Sequence, residues 1–126
     1  MIDMGKILVV DDSYLTRFLL AKILAGGGHE VVGEAGDGVE ALEKVRDLRP
    51  DVVILDIIMP RMRGLETLRE IREISPSTRV IICSGDTQDF TVRDAVQNGA
   101  SGFIVKPFRK EGVLGEVDSV LAGTSR

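Results

Sequence analysis

The sequence predicts a doubly wound α/β fold with five parallel strands and five helices, and two observations support this prediction. Five short apolar runs recur along the 126 residues, and a segment with helical spacing of its apolar residues follows each of them. Strands that alternate with helices in this way form βαβ units, whose right-handed crossovers place helices on both faces of a parallel sheet. Five such units fill the chain, so residues 1–126 are expected to form a single domain.

The first βα unit has clear boundaries at both ends of its helix. A strand over residues 6–10 precedes a helix over about residues 13–25, which begins at the N-cap residue Ser13 and ends at the glycines 26–28. These glycines follow a helix rather than a strand, so they indicate a helix end and not a phosphate-binding loop. Helical spacing predicts that the apolar residues of this helix face the core, namely Leu15, Phe18, Leu19, Ile23 and Leu24.

The remaining four units are predicted from the same alternation. The third strand is wholly apolar and mostly β-branched, as a central strand buried on both faces should be. Pro50 prevents the second helix from continuing, and this helix is expected to bury Leu48, as the fourth helix is expected to bury Val96. The predicted strands cover residues 30–35, 52–55, 79–83 and 102–105, and the predicted helices cover about residues 38–48, 64–74, 87–98 and 109–121.

Composition and charge argue against several classes of function. The formal charge is −4 and the basic residues are scattered, so direct binding to nucleic acid or to an anionic membrane is not expected. No apolar stretch approaches the roughly 20 residues that cross a bilayer, and the first residues do not form a signal peptide, so we expect a soluble cytoplasmic protein. Cys83 lies in an apolar run and is expected to be a buried thiol, whereas His29 follows the glycine turn and is expected on the surface.

Polar side chains follow four of the five predicted strands at the point where each strand ends. Asp11 and Asp12 follow the first strand, Asp56 the third, Ser84 the fourth and Lys106 the fifth. In parallel α/β sheets the ligand crevice lies outside the carboxyl ends of the strands, so these residues are expected to converge. A single aspartate would be explained by capping of the first helix, but three acids at two strand ends indicate a metal site.

The predicted cluster has the composition of a site for a cation and a phosphoryl group. Carboxylates held about 4 Å apart repel one another unless a divalent ion relieves them, and Mg2+ prefers one or two carboxylates together with waters and phosphate. Asp56 is the candidate carboxylate nucleophile, which would form an aspartyl phosphate. Lys106 supplies a positive charge and Ser84 supplies a hydroxyl donor for the phosphoryl oxygens.

Several short motifs together resemble the receiver domain of bacterial and archaeal two-component response regulators. The resemblance covers essentially the whole chain and rests on five motifs: Asp11-Asp12-Ser, Asp56-Ile-Ile-Met59-Pro60, Gly64-Leu65, Cys-Ser84-Gly85, and the run from Gly99 to Phe108 that contains Lys106-Pro107. It implies a flavodoxin-like sheet with strand order 2-1-3-4-5. It also implies a cis peptide bond between Lys106 and Pro107.

The same resemblance implies a role for each residue of the cluster. Asp56 would accept a phosphoryl group from a phosphohistidine of a sensor kinase or phosphotransfer protein. Asp12, Asp56 and the backbone carbonyl of Ile58 would bind Mg2+ directly, and Asp11 would act mainly through a bound water. The phosphoryl oxygens would be held by Ser84 and Lys106.

Signalling would follow from a change of shape beside the cluster. When the Ser84 hydroxyl turns toward the phosphoryl group, it vacates space into which Phe103 can rotate. The face formed by the fourth helix, the fifth strand and the fifth helix would then change for a downstream protein target. The family often has tyrosine where Phe103 stands, so here the aromatic ring reports only through packing. Ile58 is apolar where many relatives are polar, and we expect it to hinder the water that hydrolyses the phosphorylated form.

The residues by themselves leave three alternative functions besides a phosphoacceptor. An aspartate-nucleophile phosphatase would also use a strand-end acid and Mg2+, but its second acid usually stands two residues after the nucleophile, where this chain has Ile58. A flavin-binding module would need hydroxyls where Asp11 and Asp12 stand, and a pseudo-receiver would only bind partners. The leading prediction is a signalling protein that catalyses only its own phosphorylation and dephosphorylation, either as a stand-alone regulator or as a fragment of a larger one.

Overall fold

The computed structural model describes residues 5–57, 64–85 and 89–123, and strands and helices alternate within these ranges as predicted. The strands are β1 (Lys6–Val10), β2 (Glu30–Ala35), β3 (Val52–Asp56), β4 (Arg79–Ser84) and β5 (Gly102–Val105). The helices are α1 (Tyr14–Gly26), α2 (Gly38–Leu48), α3 (Gly64–Ile74), α4 (Asp89–Gln97) and α5 (Lys110–Ala122). The types of the elements and their order confirm the predicted α/β class.

The five strands form a parallel sheet in the order β2-β1-β3-β4-β5, which confirms the strand order that the resemblance implied. β3 is the central strand, and all of its residues are buried. The strand order reverses between β1 and β3, where Val10 and Leu55 are register partners. Ligand crevices of open α/β sheets lie at such a switch point, so the carboxyl ends of these two strands position the candidate site.

Alternate residues of each strand pack on opposite faces of the sheet, which therefore separates two apolar layers. In β1, Leu8 and Val10 belong to the layer that α2, α3 and α4 cover, while Ile7 and Val9 belong to the layer that α1 and α5 cover. Because both faces are buried, the strands other than the edge strand β2 are apolar at most positions rather than at every second one.

The inner face of α1 differs from the prediction. Leu15, Phe18 and Leu19 are 64%, 46% and 43% exposed, whereas Leu20 and Leu24 are fully buried. The prediction is confirmed for Leu24, and Ile23 also packs against the core. It was wrong for Leu15, Phe18 and Leu19, because α1 is apolar around most of its circumference and helical spacing did not identify a single face. The side that packs on the sheet is the one with Leu20 and Leu24, and an apolar strip of α1 faces solvent.

The placement of His29 also differs from the prediction, because the residue is buried and not on the surface. Its Nδ1 accepts a hydrogen bond from the Gly5 N–H at 3.1 Å, and its Nε2 lies 3.0 Å from Oδ1 of Asp118 on α5. The turn after α1 places the imidazole against α5, whose position could not be known from the residues around His29. The ring therefore joins the amino-terminal end of the sheet to α5.

Smaller differences lie at the ends of the elements. β3 and β4 each include one residue more than predicted, Asp56 and Ser84. The N-cap prediction for α1 is confirmed, because the Ser13 hydroxyl accepts a hydrogen bond from the Thr16 N–H at 3.2 Å. Two residues predicted to be buried, Leu48 and Val96, are exposed because they stand in the last turns of their helices. None of the described helices is both long enough and apolar enough to cross a membrane.

Candidate metal and phosphoryl-binding site

Three carboxylates meet where β1 and β3 end. Asp11 and Asp12 directly follow β1, and Asp56 is the last residue of the neighbouring strand β3. One carboxylate oxygen from each acid lies within 4.8 Å of the other two, as the strand-end pattern predicted. Asp11 and Asp56 are buried, whereas Asp12 is exposed at the mouth of the crevice. A cation could therefore enter from the Asp12 side.

Lys106 reaches the same crevice from the end of β5. Its Nζ donates a hydrogen bond to Oδ2 of Asp11 at 2.9 Å and lies 3.6 Å from Oδ2 of Asp56. Burial lowers the pKa of the Lys106 ammonium, but the hydrogen bond to Asp11 and the charge of Asp56 outweigh it and hold the pKa above its ordinary value. The ammonium is thus present as a charged group at neutral pH. The peptide bond to Pro107 is cis, as the resemblance implied.

Ser84 belongs to the crevice by its position in the sheet. It is the last residue of β4 and is buried, and its carbonyl accepts a hydrogen bond from the Lys106 N–H at 2.9 Å. Asp56 pairs with Cys83, so Ser84 stands one residue beyond Asp56 on the neighbouring strand. The structure therefore brings Ser84 beside Asp56 and Lys106. Ile58, the remaining expected metal ligand, lies outside the described residues, and its role stays a prediction.

The charges in the crevice fit a divalent cation. Three carboxylates (−3) and the Lys106 ammonium (+1) sum to a formal charge of −2, which one Mg2+ would neutralise. Both carboxylate oxygens of Asp11 already accept hydrogen bonds, one from the Ser13 N–H at 2.9 Å and the other from Lys106. Asp12 is exposed at the mouth of the crevice and is therefore better placed than Asp11 to contact a metal directly. Oxygen ligands of this kind are those that Mg2+ prefers.

Arg17 is a neighbour of the site that the sequence did not identify. Its Nη1 donates a hydrogen bond to the backbone carbonyl of Asp11 at 2.6 Å, and its Nε donates to Oε1 of Glu34 on β2 at 3.0 Å. An arginine in the first turns of an exposed helix carries no signal of this contact, because the partner carbonyl belongs to the loop before the helix. Arg17 follows Asp11 by six residues, and this spacing alone does not predict the hydrogen bond between them.

Cys83 lies beneath the crevice and is buried, which confirms the prediction made from its apolar neighbours. Burial raises the pKa of its thiol to about 12, against the opposing effect of the Lys106 charge. A thiol in this state is a packing residue and not a nucleophile.

Phe103 was predicted to act as a switch aromatic, and this role stays a prediction. The residue lies on β5, is half-buried and packs against the core layer covered by α2, α3 and α4. Its N–H donates a hydrogen bond to Oε2 of Glu116 at 2.7 Å, so the backbone of this edge strand is tied to α5.

The fold and the crevice together define a flavodoxin-like α/β protein whose acidic pocket at the strand switch point suits a divalent cation. The family model of the response regulator receiver domain matches residues 7–118. The chain therefore belongs to the response regulator receiver domain family. Proteins of this type act in two-component signalling, bind Mg2+ at an acidic pocket and are not enzymes in the usual sense.

Several of the similar proteins are chemotaxis proteins. Chemotaxis protein CheY of Thermotoga maritima is 43% identical over 118 residues, which cover 93% of this chain and 98% of that protein. Chemotaxis protein CheY of Bacillus subtilis is 44% identical over 116 residues, which cover 92% and 97%. A solved structure of the Borrelia burgdorferi CheX–CheY–BeF3–Mg2+ complex matches with a TM-score of 0.90 at 38% identity, covering 95% of this chain and 90% of that one.

Proposed function

We propose that this protein is a phosphoacceptor of CheY type, which receives a phosphoryl group on Asp56 from a phosphohistidine of a sensor kinase or phosphotransfer protein. The observation that carries the proposal is the crevice itself, where three carboxylates and the Lys106 ammonium meet at the ends of three strands. A structural neighbour solved with BeF3 and Mg2+ gives independent support.

In the transfer step, a carboxylate oxygen of Asp56 forms a bond to phosphorus while the bond from phosphorus to the donor imidazole nitrogen breaks. The electron pair of the broken bond stays on that nitrogen. Phosphoryl transfer needs alignment and charge neutralisation more than covalent assistance from the protein. Lys106 lies 3.6 Å from Asp56, so its ammonium can move from the carboxylates to an oxygen of the incoming group. Ser84 donates its hydroxyl to another phosphoryl oxygen.

The metal would be held by Asp12, Asp56 and the backbone carbonyl of Ile58, with Asp11 acting mainly through a water. Hydrogen bonds from Ser13 and Lys106 to the two carboxylate oxygens of Asp11 support an indirect role for Asp11, and the exposure of Asp12 supports direct contact between that acid and the metal. When bound, Mg2+ neutralises negative charge on the carboxylates and the phosphoryl oxygens.

The output face is proposed to be the surface of α4, β5 and α5. Rotation of Phe103 toward the space near Ser84 would change a surface cleft of about 470 Å³ that Phe103, Val105, Pro107 and Phe108 help to line. Val105 is exposed there, which gives a protein target an apolar contact. The downstream partner would thus read the phosphorylated state through packing on this face.

The donor is proposed to dock on the exposed strip of α1. This strip consists of Tyr14, Leu15, Phe18 and Leu19, all of them exposed apolar or aromatic residues. α1 begins two residues after Asp12, so the strip starts beside the mouth of the crevice. A protein seated on it would hold its phosphohistidine close to Asp56, whereas a small phosphodonor would not use the strip.

The proposal is tested by incubating the purified chain with acetyl phosphate and Mg2+ and measuring the intact mass. We expect the wild type to gain the mass of one phosphoryl group, and Asp56→Asn or removal of Mg2+ by a chelator to abolish the gain. Asp51→Asn, at the amino-terminal end of β3, is the matched control and should gain the group as the wild type does. A mass gain that survives in Asp56→Asn contradicts the proposal, and turnover of an aryl phosphate beyond one equivalent would instead favour a phosphatase.

A further inference from the structure

Arg17 connects three parts of the molecule at one edge of the crevice. The guanidinium donates from Nη1 to the carbonyl of Asp11 and from Nε to the Glu34 carboxylate, and it lies 5.8 Å from the ring centroid of Tyr14. Its side chain is only 18% exposed. The loop after β1, the edge strand β2 and the first turn of α1 are thereby held together by a single side chain.

The carbonyl that Arg17 holds belongs to the peptide that joins Asp11 to Asp12. This peptide is a rigid plane, so fixing its oxygen fixes the direction in which the chain enters Asp12. Asp11 is already fixed by the hydrogen bond from its N–H to the Ala35 carbonyl at 3.0 Å and by the two hydrogen bonds to its carboxylate. Asp12 is exposed, and the described residues provide no comparable hydrogen bond to its carboxylate. Its orientation therefore depends on the peptide before it.

Glu34 sets the direction of the Arg17 guanidinium. Glu34 pairs with Val9 in the register of β1 and β2, so its carboxylate stands at the same end of the sheet as the acids. A guanidinium presents several donors in a fixed fork, so it can bind Glu34 and the Asp11 carbonyl at the same time, whereas an ammonium is a single point charge on a flexible stem.

We propose that Arg17, oriented by Glu34, is a positioning residue that aligns the Asp12 carboxylate for the metal. This inference rests on the proposed function, because it assigns a metal-binding role to Asp12. Supporting residues behind a metal ligand typically change metal affinity about 10- to 100-fold when they are removed.

The sign of the effect separates positioning from simple electrostatics. Arg17 is a cation near an acidic pocket, so its loss would strengthen Mg2+ binding if only charge mattered. Positioning predicts the opposite, namely weaker binding once the Asp12 carboxylate is no longer aligned. A purely structural role would lower the melting temperature and leave the affinity for Mg2+ unchanged.

The test is calorimetric titration of the unphosphorylated protein with Mg2+. In Arg17→Met, which keeps the apolar stem, we expect the Kd for Mg2+ to rise about tenfold. Arg17→Lys should restore little of the affinity, and Glu34→Gln should give an intermediate loss. Arg46→Met removes an exposed arginine in the last turn of α2 and is the matched control for charge, with an expected Kd close to that of the wild type.

Phosphorylation by acetyl phosphate adds a second measurement. In Arg17→Met, the Mg2+ concentration for half-maximal phosphorylation should rise with the Kd, while the rate at saturating Mg2+ stays within about twofold, as for a loss of metal affinity alone. A Kd in Arg17→Met equal to or below that of the wild type overturns the inference.

Two further outcomes are decided in the same experiments. If Arg17→Met does not fold, Arg17→Lys decides by the same criterion, a rise in the Kd for Mg2+, because it keeps the positive charge, whereas Glu34→Gln also removes a negative charge and would weaken Mg2+ binding by electrostatics alone. If the wild type binds Mg2+ but takes up no phosphoryl group, the proposed function fails, whereas the role of Arg17 in aligning Asp12 is still decided by calorimetry.

Discussion

The ammonium of Lys106 donates a hydrogen bond to the carboxylate of Asp11 at 2.9 Å across the crevice. These two residues are 95 positions apart in the sequence, and their contact is closer than that between Lys106 and Asp56, which measures 3.6 Å. The pair ties the end of β5 to the end of β1. A phosphoryl group on Asp56 would compete with Asp11 for the same ammonium, so the state of Asp56 can be transmitted to β5.

The raised pKa of Lys106 predicts how stability depends on alkaline pH. Burial lowers this pKa, but the hydrogen bond to Asp11 and the charge of Asp56 raise it by more than burial lowers it. The folded protein therefore holds the proton more tightly than the unfolded chain does. The stabilisation is complete below the unfolded value of about 10.4 and is lost as the pH rises through the folded value.

Urea unfolding between neutral pH and about pH 11 measures this effect against Lys106→Met, since the range brackets the lysine pKa. Both proteins should carry Cys83→Ala so that the thiol does not titrate. The protein that keeps Lys106 should be more stable to unfolding than Lys106→Met, and this difference in free energy should decrease only above about pH 10. A difference that stays constant over the whole range would show that the ion pair does not shift the pKa.

The donor-docking proposal predicts a difference between protein and small-molecule donors. Phe18→Ser in the strip of α1 should slow transfer from a phosphohistidine protein about fivefold, because loss of an interface contact worth about 1 kcal/mol changes affinity by that factor. The rate with acetyl phosphate should not change. Leu48→Ser, at an exposed apolar residue at the end of α2, is the control and should leave both rates as in the wild type. Equal slowing with both donors would place the effect in the crevice instead of on α1.

The fold was predictable because its main signals are local, whereas the exceptions depend on contacts far apart in the sequence. β-branched runs and terminal polar residues identify strands and their ends, and the geometry of a parallel sheet then brings Asp11, Asp56 and Lys106 together. His29 and Arg17 were missed for a different reason. The buried imidazole contacts Asp118, which is 89 residues away, and Arg17 binds a backbone carbonyl, which has no side-chain signature.

Cys83 should be chemically inert in the folded protein. Burial raises the pKa of its thiol to about 12, and the opposing charge of Lys106 does not compensate for the loss of water. At pH 8 the thiol is therefore protonated, and a disulfide reagent should react with it no faster than the protein unfolds. In denaturant the reaction should be complete and fast, and Cys83→Ala provides the blank. Rapid reaction of the native protein at pH 8 would mean that the crevice opens to admit the reagent.

The buried imidazole of His29 should contribute to stability and not to metal binding. Its Nδ1 accepts the hydrogen bond from Gly5, so the neutral ring carries its proton on Nε2 and donates to Asp118. His29→Ala leaves the Gly5 N–H without its acceptor and should lower the free energy of unfolding by about 2 kcal/mol, since a buried polar group without a partner costs about 1–3 kcal/mol. Asp118→Asn is the milder comparison, because the Asp118 side chain is 41% exposed.

Urea unfolding measures the stability of the His29 variant. Calorimetry should find its Kd for Mg2+ unchanged, because His29 lies at the end of the sheet opposite the acids. Unaltered stability in His29→Ala would show that water replaces the imidazole at no cost.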